Sequence, residues 1–268
     1  MIDSGRIKLE DKIFDTDLEN EDFHNHLFIR VGSKNQKIRN VNFSHTYFEH
    51  CYFRNITFED CNFNGCKFIN CNFTQSKFPG SNFDYAIFEK TFIEDEILDY
   101  NCPSHDNLIQ KFARTLRLNY QSLGDAVSAN KAIKIELKST GNHLYDAWSS
   151  KKNYYRKKYK GIRRLVMFFK WLYFKIQSII WGNGENIWKL GFSGLAIWII
   201  CALIHTFYFK DSSLIISYWQ SLKEVPSIIW GLRNPDYYSV NYLTVITVLR
   251  FLGFALFTSI LIKRFNRR

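Results

Sequence analysis

Phenylalanine recurs at every fifth position over ten consecutive repeats, and this period constrains the fold more than any other feature of the chain. The ten residues are Phe43, Phe48, Phe53, Phe58, Phe63, Phe68, Phe73, Phe78, Phe83 and Phe88. A period of five fits neither an α-helix nor a flat β-strand, which repeat at about 3.6 and 2 residues. It indicates a solenoid in which each short unit buries one large side chain before the chain turns a corner.

Each five-residue unit has the same order of side chains around its Phe. The position two before Phe is small or β-branched, the position just before Phe is often Asn, and the two positions after it are mostly polar. The small series runs Val41, Thr46, Cys51, Ile56, Cys61, Cys66, Cys71, Ser76, Ser81 and Ala86. Small and large inward residues thus alternate with outward polar ones, so we expect the Phe series to form an inner structural ladder.

These units resemble the pentapeptide-repeat family, whose consensus is Ala-Asp/Asn-Leu-x-x. The resemblance covers roughly residues 36–98, with Phe in place of Leu and often Cys in place of Ala. It implies a right-handed quadrilateral β-helix with four units per coil, which we assign to residues 36–102 as about three coils. Because a solenoid needs its first coil covered, we expect residues 1–35 to form an N-terminal cap.

The composition of the repeats argues against two other roles. Four of the six Cys occupy the small inward position, where buried packing is more consistent than a zinc site or disulfides. Residues 36–98 carry six Lys or Arg against eight Asp or Glu, and the basic excess of this +11 chain lies after residue 110. Some pentapeptide solenoids imitate DNA with an acidic face, and this one is too short and too neutral for that role.

Residues 103–150 change to helical periodicity. Leu108, Phe112, Leu116 and Tyr120 follow four-residue steps, and a second helical pattern begins after the Gly124-Asp125 break. These patterns predict an αα-hairpin that links the solenoid to the rest of the chain. The sequence from Leu116 to Ala129 resembles the tetratricopeptide-like linker of a larger bacterial architecture.

Residues 151–188 begin with a strongly basic stretch. Its basic residues are Lys151, Lys152, Arg156, Lys157, Lys158, Lys160, Arg163 and Arg164. Interleaved tyrosines would also suit nucleic acid, and a solvated helix face is the plainest alternative. The stretch leads directly into Leu165–Trp181, which is rich in Phe, Trp and Ile and is typical of an interfacial membrane helix. This position favours anionic lipid headgroups over nucleic acid as the partner.

Residues 189–268 contain two apolar runs of membrane-spanning length. Leu190–Phe209 contains no Lys, Arg, Asp or Glu, and Arg250 is the one charged residue of Tyr242–Ile262. A helix needs about 20 such residues to cross a bilayer, and both runs reach that length. No other apolar surface in the sequence would cover two such core helices, so a two-span transmembrane hairpin is predicted. The predicted fold class is therefore an α+β membrane protein, in which a β-helix is followed by an αα-hairpin, an interfacial helix and two transmembrane spans.

The distribution of positive charge predicts the orientation of the hairpin. Basic residues precede the first span, and Lys263, Arg264, Arg267 and Arg268 follow the second. The loop between the spans, residues 210–241, has only three basic residues, which are Lys210, Lys223 and Arg233. By the positive-inside rule, both termini and the solenoid are expected in the cytoplasm.

The order of these parts resembles bacterial pentapeptide-repeat membrane proteins with a C-terminal two-transmembrane, ion-channel-like region. That group has a Gly-Tyr-Gly-Glu-like elbow before the first span and a Leu-Gly-Phe/Trp-x-x-x-Ala-Leu-Phe stretch in the second. The matching segments are Gly182–Glu185 and Leu252–Phe257. The resemblance implies a bacterial inner-membrane location. Residues 210–241 contain no Thr-Val-Gly-Tyr-Gly filter, so potassium selectivity is not expected.

Two polar residues inside the spans are candidates for a pore. His205 lies in the first span and Arg250 in the second. Arg250 either snorkels to the outer headgroups or faces the interior of a helix bundle, where it would repel cations. Asp211, Glu224 or Asp236 from the loop would be within reach as a partner.

Two functions are consistent with this organisation. The first is an oligomeric channel-like protein with a cytosolic sensor or assembly domain, since two spans cannot enclose a pore alone. The alternative is a membrane-anchored protein-binding scaffold that does not conduct. The sequence has no phosphate loop, His-Glu-x-x-His motif or nucleophile elbow, so we expect no enzyme activity, no cofactor and no metal.

Overall fold

The structure is a computed structural model that describes residues 5–265, with side chains to Lys263. Residues 1–4 of the expected cap and residues 266–268 of the basic tail lie outside the described residues. The chain divides after Phe168 into two compact units. We call residues 5–168 the solenoid unit and residues 169–265 the helical unit, and each is described separately.

Short parallel strands build the solenoid. They are β1 (Ile7–Glu10), β2 (Ile13–Phe14), β3 (Leu18–Glu19), β4 (His26–Ile29), β5 (Gly32–Lys34), β6 (Lys37–Arg39), β7 (Tyr47–Glu49), β8 (Tyr52–Arg54), β9 (Thr57–Glu59), β10 (Lys67–Ile69) and β11 (Ile87–Glu89). They form the sheets β1-β4-β7-β10-β11, β2-β5-β8 and β3-β6-β9, and isolated parallel bridges such as Asn42–Asn62 form a fourth column. Lys67 pairs with Tyr47 and with Ile87, so one coil consists of four five-residue units.

The solenoid is longer than the regular sequence repeat. β1 and β11 end the largest sheet, and at four units per coil they are about four turns apart. Residues 7–34, which we expected to cap the solenoid, contribute β1 to β5 and therefore form coils of it. The handedness of the coil stays a prediction.

The corner of each unit explains its polar residues. The second position after each Phe has a positive φ in most units, as at His45 (60°), Asn55 (54°) and Gly65 (69°). This left-handed conformation is strained for most L-residues and is tolerated best by Gly, Asn, Asp and His. The residue types at this position therefore reflect backbone geometry at the turns.

The Phe side chains stack one coil above another. Phe63 lies with its ring centroid 5.1 Å from that of Phe43 and 4.9 Å from that of Phe83, with interplanar angles of 6° and 12°. A neighbouring column stacks Phe68 on Phe48 at 4.9 Å and Phe88 on Phe68 at 5.0 Å. Every residue of the ten-Phe series is buried, so this apolar ladder is the core of the solenoid.

The small inward residues form hydrogen bonds with backbone carbonyls of the preceding coil. The Ser81 hydroxyl donates to the Phe58 carbonyl at 2.9 Å, and the Cys66 thiol donates to the Phe43 carbonyl at 2.9 Å. Burial raises the pKa of the Cys66 thiol and raises the pKa of the Cys61 thiol to about 11. These thiols stay protonated at neutral pH and serve as small, weak donors.

Eight helices follow the solenoid within the described residues. They are α1 (Ile97–Tyr100), α2 (Asp106–Ser122), α3 (Ala126–Ser149), α4 (Asn153–Lys158), α5 (Ile162–Ile180), α6 (Ile187–Phe209), α7 (Ile215–Ile229) and α8 (Val240–Phe265). Asp125 caps α3, because its carboxylate accepts hydrogen bonds from the amides of Val127 and Ser128. Helix α7 lies within residues 210–241, for which the sequence predicts a loop.

Helix α2 closes the C-terminal end of the solenoid. The ring of Phe112 lies 6.2 Å from the rings of both Phe83 and Phe88. Asn119 accepts a hydrogen bond from the Thr91 amide and donates one to the Thr91 carbonyl, both at 2.7 Å. The segment expected to act as a linker therefore supplies the cap that the last coil needs.

Candidate functional site

Helices α6 and α8 are long and apolar enough to cross a membrane. Only 11% of the most apolar window of each helix is buried within the chain. A core helix of a soluble protein would be mostly buried, so the exposure of these two helices is consistent with membrane association.

Helix α7 packs back along α6. The Thr206 hydroxyl donates to the Ser221 hydroxyl at 2.8 Å, and one turn further along α7, Val225 packs against Cys201 and Ala202. Helix α7 is therefore antiparallel to α6 and extends from the C-terminal end of α6 towards the middle of α6. The indole of Trp198 donates to the Leu222 carbonyl at 3.1 Å and adds a polar contact to this interface.

The chain after α7 returns to the end of α6 from which α7 started. The Tyr238 hydroxyl forms a hydrogen bond with Nδ1 of His205, and its ring centroid lies 4.7 Å from that of Phe209. Residues 215–239 thus run in along α6 as a helix and return as non-helical chain. We call residues 215–239 the re-entrant segment and its turn, residues 230–233, the apex.

A polar network connects the middle of α7 with the end of the return chain. His205 is fully buried, and besides its bond to Tyr238 its Nε2 lies 3.6 Å from Oε2 of Glu224. The same carboxylate oxygen lies 2.9 Å from Nζ of Lys210. His205, predicted as an intramembrane polar residue, is therefore a junction between α6, α7 and the return chain.

Arg250 contacts the apex of the re-entrant segment. Its guanidinium occupies the space beside Gly231, where an added Cβ would overlap Nη1. Arg250 lies eight residues beyond Tyr242, so it is about 12 Å further along α8 than the contact of Tyr242 with Tyr238. Along α8, the apex therefore lies closer to the C-terminal end of the helix than the His205 network does.

The acidic partners considered for Arg250 are placed elsewhere. Glu224 pairs with Lys210, and the Asp211 carboxylate accepts hydrogen bonds from Ser213. No ion pair of Arg250 is present among the described residues, and the contact of its guanidinium with a ring is to Phe251, 5.4 Å from the centroid.

The apex is exposed in the single chain. Trp230 is 69% exposed and Leu232 is 80% exposed. The amides of Leu232 and Arg233 both donate to the Ser227 carbonyl, at 2.8 and 3.1 Å, which ends α7 with a tight turn at Gly231 (φ 75°). The turn is thus internally bonded while its side chains face outward.

The eight basic residues between Lys151 and Arg164 fall into two groups. Four of them form local hydrogen bonds. Lys152 donates to the Asp146 carboxylate at 2.8 Å, and Arg156 donates to the Ala147 carbonyl at 2.9 Å. Lys158 donates to the Tyr154 hydroxyl at 3.0 Å, and Arg164 donates to the Trp148 carbonyl at 2.6 Å. The side chains of the other four are exposed and form no hydrogen bond or ion pair with the described residues: Lys151, Lys157, Lys160 and Arg163. Only this second group is free to bind a ligand.

Helix α5 carries an exposed apolar stripe beside these cations. Ile162, Leu165, Phe169, Tyr173 and Ile176 are exposed and are separated by three or four residues. Such spacing places them along one side of the helix. Among residues 5–263, no group of three or more His, Cys, Asp or Glu converges to hold a metal ion.

A comparison with known families places the repeats. Residues 37–75 and 57–95 match the sequence profile of the Pentapeptide repeats, in eight copies. This confirms that the segment marked by the Phe period consists of pentapeptide repeats. The match covers less than half of the chain and ends at residue 95.

Solved pentapeptide-repeat structures resemble about a third of the chain. Rfr23 from the cyanobacterium Cyanothece 51142 is 13% identical over 32% of this chain and 69% of its own, with a TM-score of 0.28. A trypsin-treated variant of QnrB1, a plasmid-mediated fluoroquinolone resistance protein, is 15% identical over 34% of this chain, with a TM-score of 0.20, and the match spans 64% of its length, less than two thirds.

A third solved structure is a pentapeptide repeat protein from the thylakoid lumen of Arabidopsis thaliana. It is 18% identical over 37% of this chain and 77% of its own, with a TM-score of 0.18. No curated protein matches the chain. At these values the similarities carry no inference about function.

Proposed function

We propose that this protein is an oligomeric, channel-like membrane protein that is not potassium-selective, with its pentapeptide repeats serving as a cytosolic sensor or assembly domain. The observation that carries the proposal is the re-entrant segment between α6 and α8. It runs in beside one apolar helix, turns at an exposed apex, and returns to the level at which it entered.

The proposal follows from what a bilayer tolerates. Non-helical backbone at membrane depth is stable only where protein buries it or where it lines a water-filled cavity. If α6 and α8 span the membrane, the apex lies inside it, and this chain alone leaves Trp230 and Leu232 exposed there. Several copies arranged about an axis would supply both the cover and a central pore.

The charge asymmetry supports the orientation of this assembly. The basic cluster precedes α6, and the basic tail begins in the last turn of α8, which favours cytoplasmic termini in a bacterial inner membrane. In this orientation the re-entrant segment enters from the extracytoplasmic side. The solenoid unit would then assemble or regulate the channel from the cytosol.

Reconstitution of the full-length protein in planar bilayers tests this function. We expect discrete ionic currents from the wild-type protein. Replacement of residues 215–239 by a flexible linker of equal length should abolish the currents, because it removes the turn that would line the pore. The variant should still insert, since α6 and α8 are unchanged. Currents that survive the replacement, or a wild-type protein that conducts nothing, would contradict the proposal.

The alternative is a membrane-anchored scaffold, and one face of the solenoid supports it. Ile13, Tyr52 and Phe92 are exposed on the column that includes β2, β5 and β8, with exposures of 78%, 44% and 55%. Exposed aromatic residues on a rigid β surface are typical of protein-binding sites. A pentapeptide-repeat domain is consistent with such an interaction role, which would also operate without conduction.

We also propose that anionic lipid headgroups bind the free cations Lys151, Lys157, Lys160 and Arg163. Each basic residue near a membrane surface contributes about 1 kcal/mol. In a fragment of residues 1–181, the double change Lys157→Ala and Lys160→Ala should therefore weaken binding to anionic vesicles by about thirtyfold. Co-sedimentation at increasing salt measures this, and salt should release the fragment.

A matched pair in α3 controls for net charge. Lys134 and Lys138 are exposed on a helix outside the basic stretch, and their change to Ala removes the same charge. This variant should bind vesicles within about twofold of the wild type. Equal losses in both pairs, or a preference for nucleic acid over vesicles in competition, would show that the stretch is not a lipid site.

A further inference from the structure

A guanidinium without an acidic partner among the described residues lies against the apex of the re-entrant segment. Arg250 is half-buried, and its Nη1 fills the space that a Cβ on Gly231 would need. Charged groups inside a membrane are costly, and they persist where they line a pathway for ions or polar substrates. The structure therefore places a positive charge against the apex of the re-entrant segment.

We propose that Arg250 and the apex form an anion-selective constriction and that the conducted species is a small inorganic anion such as chloride. This inference rests on the proposed channel function and names its substrate class. In a symmetric assembly each copy contributes one Arg250, so the side chains form a ring. Rings of Arg or Lys are the usual basis of anion selectivity in pores.

The apex itself, residues 230–233, carries no negative charge. From Val225 to Pro235 the chain contains Arg233 and no Asp or Glu. Glu224 is held by Lys210 at the level of the His205 network, and Asp236 is exposed on the return chain beyond the apex. A cation at the apex would therefore meet the positive charges of Arg233 and Arg250, whereas an anion would find N–H donors on the Arg250 guanidinium.

Gly231 sets the position of the guanidinium in two ways. It has no side chain, which leaves room for Nη1 of Arg250, and its φ of 75° is a conformation that L side chains rarely adopt. The change Gly231→Ala would push the guanidinium away and strain the turn. The selectivity can thus be disturbed without altering any charge.

The permeability ratio of chloride to potassium tests the inference. It is obtained from the reversal potential of the full-length protein in planar bilayers of neutral lipid under a KCl gradient. We expect the wild type to favour chloride and Arg250→Gln to lower the ratio by about tenfold, because the field of the charged ring is lost. Arg250→Lys should keep most of the preference, and Gly231→Ala should lower it.

Lys175→Gln is the matched control for charge. Lys175 is exposed in α5, outside the re-entrant segment and away from the apex in sequence. Its loss should change the ratio by less than about twofold, since exposed charges are screened within about 10 Å. Membrane insertion and oligomer size of each variant, measured in detergent, establish that all of them assemble alike.

The outcomes separate this inference from the channel function. A wild-type channel that prefers potassium, or an Arg250→Gln ratio equal to that of the wild type, overturns the anion site and leaves conduction standing. The second result is also what a lipid headgroup phosphate bound to Arg250 would give, because a lipid ligand does not pass through the pore. A protein without any conductance overturns both proposals.

Discussion

The change Phe63→Asp should unfold the solenoid, whereas the same acid one residue later, in Asn64→Asp, should leave it folded. Phe63 is 1% exposed and is stacked between Phe43 and Phe83. Removing a buried Phe costs about 3–5 kcal/mol, and a buried carboxylate without a partner costs several kcal/mol more. Together these terms are of the same size as the typical stability of a domain, about 5–15 kcal/mol.

Asn64 is a close control because it is adjacent in sequence and lies in a different environment. Its side chain is partly exposed, and its contribution to the coil comes from its backbone, whose carbonyl accepts a hydrogen bond from the His45 amide at 2.8 Å. Both variants of the full-length protein, in detergent, can be compared by thermolysin digestion at increasing urea. Equal resistance of the two variants would show that Phe63 is not part of a continuous core.

The change Phe112→Ala should destabilise the C-terminal end of the solenoid by about 3–5 kcal/mol. Phe112 is 2% exposed, and its ring lies against the last two Phe of the ladder. Loss of this contact leaves a cavity between α2 and the final coil. For a unit of this size, the melting temperature should fall by about 6–20 °C. The variant should also aggregate more readily, because β11 becomes an exposed sheet edge.

Leu118 on the same helix provides the comparison. It is 53% exposed, so Leu118→Ala should change the free energy of unfolding by less than about 0.5 kcal/mol. Differential scanning calorimetry of the two variants measures the difference directly. If both variants melt at the wild-type temperature, α2 is a linker, as the sequence analysis expected, and does not cap the solenoid.

The solenoid was predictable because its signal is local and repeated. A Phe every five residues requires a short unit with one inward ring, and the Ser, Thr and Cys two positions earlier point to the same face. The sequence did not show where the solenoid begins. In β1 to β5 the inward positions are occupied by less regular residues such as Leu9, Phe14 and Ser33, and only pairing with the next coil identifies them.

In the helical unit, the sequence identified the two long apolar helices but not the way in which the chain between them packs. Length and the absence of charge were enough to mark α6 and α8, since crossing a bilayer imposes those two properties on any sequence. Helix α7 was missed, although Leu214–Ile229 includes apolar residues at helical spacing. Its course was not visible, because the contacts that turn it back along α6 are between residues such as Thr206 and Ser221, which are far apart in sequence.

By itself, the sequence determined the repeat, the two apolar helices and the basic stretch, because each depends on side-chain chemistry at fixed local spacing. Only the tertiary structure decided that α2 caps the solenoid, that half of the basic stretch is already bonded, and that Arg250 lies against Gly231. Those features depend on which distant surfaces meet, and many pairings are compatible with the same pattern of polar and apolar residues. The choice among them is made by packing and by the need to pair buried polar groups.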